Sequence, residues 1–332
     1  MSTGTGLSAQ LGIAEETTYG TYVEPDNFYE FNSEGIAPQV ERLTSDALGR
    51  GRYRRTSRIR HFVTGAEGDV ELDLVNKGLG LWLKHMLGSV ATTQPDDGTK
   101  PNEYLHKFTP DTNGLRGLYM TLQVGRPSTD GTVRPFSYLG GKITNWTLNA
   151  ALNEIATLSA SMNFKTEDTS EDLATASYPS GLQSFTFLDG SLTMDGSGVG
   201  VVNSLEIAGE NAMNVDRRGF GNEKFEPLAN DFWSITGSFD SEFEDMTAYN
   251  AWINGTEQVD LIATFAITGT EIDSGQSNPY KLVITIPSLH YTGDAPNVDG
   301  PDVVSQSKPF EAAKNESDPI ITIDYHNDEE TI

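Results

Sequence analysis

The sequence predicts a mainly β protein: two tandem β-sandwich or barrel-like domains, each with one flanking α-helix. Three observations predict it. Period-2 alternation of apolar and polar residues dominates, only two segments have helical spacing, and landmarks around those helices recur at a nearly constant offset. The chain has 332 residues, room for two domains of roughly 100–150 residues. Its hydrophobic content of 36% points to thin cores of the kind that β-sandwiches use.

In chain order, Val70, Leu72 and Leu74 alternate with Glu67, Asp69, Glu71 and Asp73, which predicts a half-buried strand. A helix follows Asn76, with Leu79, Trp82, Leu83, Met86 and Leu87 on one side and Gly88 as its stop. Asn is a good N-cap, and Gly is the usual residue just past a helix end. Leu118, Met120, Leu122 and Val124 alternate with Tyr119, Thr121 and Gln123. Ala156 to Phe164 repeats the pattern with Leu158, Ala160 and Met162. The acidic stretch KTEDTSEDLATAS after Phe164 has the composition of a linker. DGSGVG at Asp195–Gly200 has no following helix and reads as a hairpin turn, not a phosphate-binding loop.

The second half repeats the order. Phe239 and Phe243 alternate with Asp240, Glu242 and Glu244, and a second helix starts after Asp245. Met246, Tyr249, Trp252 and Ile253 share its apolar side, and Gly255 is its stop. Strands follow at Val259–Ile267, Leu282–Ile286 and Ile321–Tyr325. Gly49-Arg50-Gly51 corresponds to Gly219-Phe220-Gly221 at an offset of 170, Gly68 to Gly237 and Asn76 to Asp245 at 169, and Trp82 to Trp252 at 170. LYMTLQV from Leu118 corresponds to LIATFAI from Leu261, with a longer intervening loop in the first copy. The expected domains are 37–170 and 171–332.

The chain carries 48 acidic and 22 basic residues, a net charge of −26, which argues against tight binding of a polyanion. Such acidity also suits work in high salt. Seven arginines fall between Arg42 and Arg60. The cluster Arg50, Arg52, Arg54, Arg55, Arg58 and Arg60 is a candidate dock for an acidic partner surface, and other copies of the protein supply one. The two strands before the helices each have one wholly acidic side, with carboxylates about 6.6–7 Å apart. A ladder of this kind is self-repulsive. It is a surface that keeps a phosphate backbone from sticking at short range.

No cysteine is present, which excludes disulfides, thiolate zinc sites and cysteine catalysis. No stretch approaches the ~20 apolar residues of a membrane span, and the polar N-terminus does not read as a signal peptide. The five histidines form no metal-ligand spacing, and neither a nucleophile elbow nor a phosphate loop occurs. Asn297, Asp299 and Gly300 stand in the register of a calcium loop, but its first and last positions would be Ala295 and Gln306 in place of acids. No catalytic residue, cofactor or metal is expected.

GLSAQLGIAEETTYGTYVEPDNFYEFNSEGI, from Gly6 to Ile36, resembles the start of tail tube (major tail) proteins of long-tailed, siphovirus-like bacteriophages and related archaeal viruses. The resemblance continues through GDVELDLVNKGLGLWLKHMLG, SYLGGKITNWTL, SITGSFDSEFEDMTAYNAWINGT, VITIPSLHYTGDAPNVDG and ITIDYH, and so covers nearly the whole chain.

What the resemblance implies is an assembly. Family members form rings whose inner strands join into one continuous β-barrel, and the rings stack into a tube through which genome DNA passes without specific binding. Residues 1–36 are then expected as an N-terminal arm. Glu67, Asp69, Glu71, Asp73, Asp240, Glu242 and Glu244 are lumen candidates, and the arginine cluster is a candidate for contacts between subunits or rings. Two domains per chain imply a trimeric, pseudo-hexameric ring, with a true hexamer as the competing arrangement. The implied partners are the protein itself, a tape measure protein, a tail terminator and distal tail proteins, with no membrane. The implied location is the virion tail tube, assembled in the host cytoplasm. The alternative is a soluble β-sandwich module for cation binding or adhesion.

Overall fold

The computed structural model describes residues 4–48, 51, 53–96, 98–293, 295–298 and 300–332. Its first half contains β1 (Gln10–Glu15), β2 (Asn27–Tyr29), β3 (Ser33–Glu34), β4 (Ala37–Thr44), β5 (Ile59–Asp73), α1 (Gly80–Leu87), β6 (Gly88–Thr93), β7 (Tyr104–Pro110), β8 (Met120–Pro127), β9 (Val133–Ala151), β10 (Thr157–Phe164) and β11 (Thr166–Asp168). Its second half contains β12 (Gly190–Met194), β13 (Ser197–Gly198), β14 (Val202–Glu210), β15 (Met213–Asn214), β16 (Leu228–Ala229), β17 (Ser234–Glu242), α2 (Thr247–Asn254), β18 (Gln258–Glu271), β19 (Pro279–Tyr291), β20 (Ser305–Ala312) and β21 (Thr322–Asn327). The class is mainly β, as the alternation predicts.

The two halves share one connectivity. In the first, β8 and β9 form a hairpin, and β10 returns from it to pair with β5. In the second, β18 and β19 form a hairpin, and β20 returns to pair with β17. β1 flanks β8 as β12 flanks β18, and β4 flanks β5 as β14 flanks β17. The β6–β7 hairpin has no counterpart and accounts for the longer loop of the first copy.

Strand pairing joins the two halves. The C-terminal part of β9 pairs with β14, and β21 pairs with β7. One sheet therefore runs β4–β5–β10–β9–β14–β17–β20. One buried core includes Val70, Leu72, Leu148, Leu158, Ile207 and Phe239 from this sheet. Each large apolar side chain fully buried there stabilises the fold by about 1.5–3 kcal/mol.

The segment expected as an N-terminal arm lies within the chain's own fold from Gln10 to Tyr29. β1 pairs with β2 and β8, and Leu11, Ile13 and Phe28 are buried. The reason is apolar burial: β1 covers the open edge of β8, just as β12 covers β18. The DGSGVG stretch is a hairpin turn, with Met194 paired to Ser197 and Asp195 and Gly196 at φ +48° and +70°.

Both helices end where glycine predicts. Gly88 and Gly255 adopt φ +104° and +62°, a left-handed conformation that costs glycine little. Asp245 is not the N-cap of α2, which is Met246, but from one residue before it accepts the Thr247 N–H at 2.7 Å. Asn76 does not cap α1. Its side chain bridges to the loop before β12, accepting from Gln183 N and donating to the Gly181 carbonyl, and α1 starts four residues later. The helices also differ in burial. Trp82 of α1 is fully buried with its ring edge-on to Tyr29 at 5.8 Å, and α1 contacts β6, β7 and β9. On α2 only Ala251 is buried, and Ile253 and the N-cap Met246 are exposed.

Candidate functional site

Directly paired residues of adjacent strands point to the same side of a sheet. The register can therefore be followed from one acidic strand to the other. Glu71 lies opposite Ser159, Ser159 opposite Thr147, Thr147 opposite Ala208, Ala208 opposite Thr236, and Thr236 opposite Glu311. Asp240 and Glu242 stand four and six residues along β17 from Thr236, so they share its side. Six of the seven lumen candidates, Glu67, Asp69, Glu71, Asp73, Asp240 and Glu242, thus share one side of one sheet. The opposite side carries Val70, Leu72, Leu205, Ile207, Ile235 and Phe239, all buried. The seventh candidate, Glu244, is exposed and lies beyond the end of β17.

On β10 and β9 this side presents Thr157, Ser159, Ser161, Asn145, Thr147 and Asn149, all neutral. Glu67 and Asp69 are exposed, while Glu71, Asp73, Asp240 and Glu242 are half-buried. Asp73 accepts from Asn32 Nδ2 at 2.8 Å and Asp240 from Ser204 Oγ at 2.8 Å. The face also carries three carboxylates that sequence reasoning missed: Glu206 and Glu210 on β14, and Glu311 on β20. The alternation of Glu206 and Glu210 with Leu205 and Ile207 was the signal for the first two. Among the described residues no cluster of three or more histidines and carboxylates could hold a metal. Chemically, the face can repel anions and bind water.

The arginines lie elsewhere, on the loop joining β4 to β5. Arg54 pairs with Asp46 at 2.9 Å, with both side chains largely exposed. Arg58 ends a one-turn 3-10 segment, Arg60 is exposed in β5, and Arg55 is half-buried. Arg50 and Arg52 lie outside the described residues. An exposed pair such as Arg54–Asp46 contributes little to the stability of the fold.

The corresponding loop of the second copy, between β14 and β17, closes onto the first copy. Lys224 is buried and donates to Asn163 Oδ1 at 2.7 Å and to the Phe164 carbonyl at 2.8 Å. Burial pushes its ammonium down to about 8, and the nearby Arg218 adds to the effect. Lys142, buried on β9, pairs with Glu226 at 2.8 Å, and burial lowers it too. Asn211 donates to the Met86 and Ile143 carbonyls. Sequence reasoning missed this clamp, because isolated lysines in a loop carry no local signal of burial.

A family model described as phage tail tube protein matches residues 6–312. No curated protein matches the chain.

Proposed function

The chain belongs to the phage tail tube protein family, and we propose that it forms rings of three subunits whose acidic faces line the channel of the tube. Membership makes it a structural protein of the virion tail that assembles with itself into a tube and meets other tail proteins. No helix of the described residues is long and apolar enough to cross a membrane.

The finer reading is that each subunit supplies two tube domains, so that three subunits make a ring of pseudo-sixfold symmetry. Rings then stack, with a tape measure protein inside and terminator and distal tail proteins at the ends. The observation that carries it is the single sheet holding the acidic strands of both copies on one side. A decorating second domain would have no reason to share the connectivity, the helix and the acidic strand of the first. Closure also removes the exposed sheet edges that a free β domain must protect.

A channel wall of carboxylates, serines, threonines and asparagines repels phosphates at contact distance. Salt screens that repulsion beyond about 8–10 Å, so DNA is not held and can slide. The experiment is polymerisation of purified protein across a range of salt. Hollow tubes of uniform width are expected, and a monodisperse monomer under every condition would contradict the reading.

A further inference from the structure

The contact between the two copies inside one chain is a pattern for contact between chains. Inside the chain, the open edge of the first copy, formed by the C-terminal part of β9, receives β14 from the second. Lys224 of that loop sits on Asn163 and Phe164 at the end of β10. The part of the first copy that corresponds to β14 and its loop is β4 with loop 45–58. Among the described residues, β4 pairs with β5 alone. Val40 and Leu43 on β4 are 59% and 61% exposed.

The strand register identifies the receiving residues in the second copy. Asn163 lies opposite Glu67, and Glu311 lies opposite Thr236. Glu67 and Thr236 are related by the offset of 169 that relates Gly68 to Gly237. Glu311 therefore corresponds to Asn163, and Ala312 to Phe164. On the donating side, Gly51 and Gly221 match at an offset of 170, which makes Arg54 the counterpart of Lys224.

We propose that Arg54 of one copy of this chain docks on the Glu311 carboxylate and the Ala312 carbonyl of a second copy, closing a head-to-tail ring. The proposal rests on the tube reading. Charge supports it: a cation meets a neutral amide within the chain, and a cation meets a carboxylate between chains. Exposure supports it as well, since Glu311 is exposed and, among the described residues, Arg54 pairs with Asp46, itself exposed. Apolar residues are uncovered in both copies, Val40 and Leu43 on β4, and Met246 and Ile253 at α2, which contacts the β19 that pairs with β20.

The test is charge reversal and exchange in the full chain, with tube formation followed by sedimentation and electron microscopy. A thermal melt of each unassembled variant confirms folding. Arg54→Glu and Glu311→Arg should each raise the concentration needed for assembly by about tenfold or more, the weight of a lost charge-assisted contact. The double variant should return to within about threefold of wild type, and Arg54→Lys should assemble nearly as well, as Lys224 does within the chain. Single variants that assemble like wild type would overturn the contact and leave the tube reading intact, and so would a double variant no better than the worse single. Wild-type protein that forms no tube in any salt would overturn the tube reading and the contact with it.

Discussion

Gly68 and Gly237 stand at the same place in the two copies. A Cβ added at Gly68 would lie 2.4 Å from the Gly35 carbonyl oxygen, and one added at Gly237 would lie 2.5 Å from that of Glu206. Both opposing atoms are backbone and cannot rotate away. Gly68→Ala and Gly237→Ala should therefore each destabilise the protein by about 1–3 kcal/mol, the usual cost of overpacking. Gly198→Ala, at an exposed position with open space around it, should stay within about 0.5 kcal/mol of wild type. Urea unfolding midpoints of the three variants check this.

Much of this fold was legible because its signals are local. Alternation at Leu158–Phe164 and Leu261–Ile267 marks strands wherever one side is buried, and Gly88 and Gly255 end helices by backbone conformation alone. The offset between Gly68 and Gly237 pointed to a shared connectivity. The join of β9 to β14 was not legible, since pairing between distant strands leaves no trace in either one. Asn76 misled because asparagine serves a loop bridge as well as it serves a helix cap. The N-terminal strand was not legible by period, because Leu11 and Ile13 are too few to announce a core strand. For the acidic face, sequence revealed which residues alternate, and only the register revealed that both ladders share a side.

The difference between the helices gives a second prediction. Trp82 is fully buried, so Trp82→Ala should cost about 3–5 kcal/mol, transfer and cavity together. Trp252 is half-buried on a helix with little cover, and Trp252→Ala should cost only about 1–2 kcal/mol in the unassembled protein. Thermal unfolding of the monomers compares them, and equal losses would contradict the burial difference.

Lys224 gives a pH dependence with a definite sign. Its folded value is depressed to about 8 from an ordinary lysine value of 10.5, so the unfolded chain holds the proton more tightly. Between those values the unfolded state binds more protons, and stability from this group rises with pH. Below about 8 the full cost of burying the charge remains. Lys224→Met lacks this gain, so wild-type stability minus variant stability should rise from pH 7 to pH 10. A difference that falls over that range would contradict a buried, depressed lysine at this junction.

The acidic face has its own test. Glu71→Lys and Glu242→Lys change half-buried side chains on the side of the sheet opposite the core, so assembly should remain largely intact. Cations in the channel would attract phosphates, and genome release should slow, with a dependence on salt that wild type lacks. Loss of assembly with normal release would place these residues at interfaces instead.

The most direct measurement is an electron cryomicroscopy reconstruction of the assembled tube, with the subunits in one ring counted and the side lining the channel identified. Three subunits per ring are expected, each contributing two domains, with Glu71 and Asp240 facing the channel. Six subunits per ring, or those two carboxylates on the outer surface, would contradict the account.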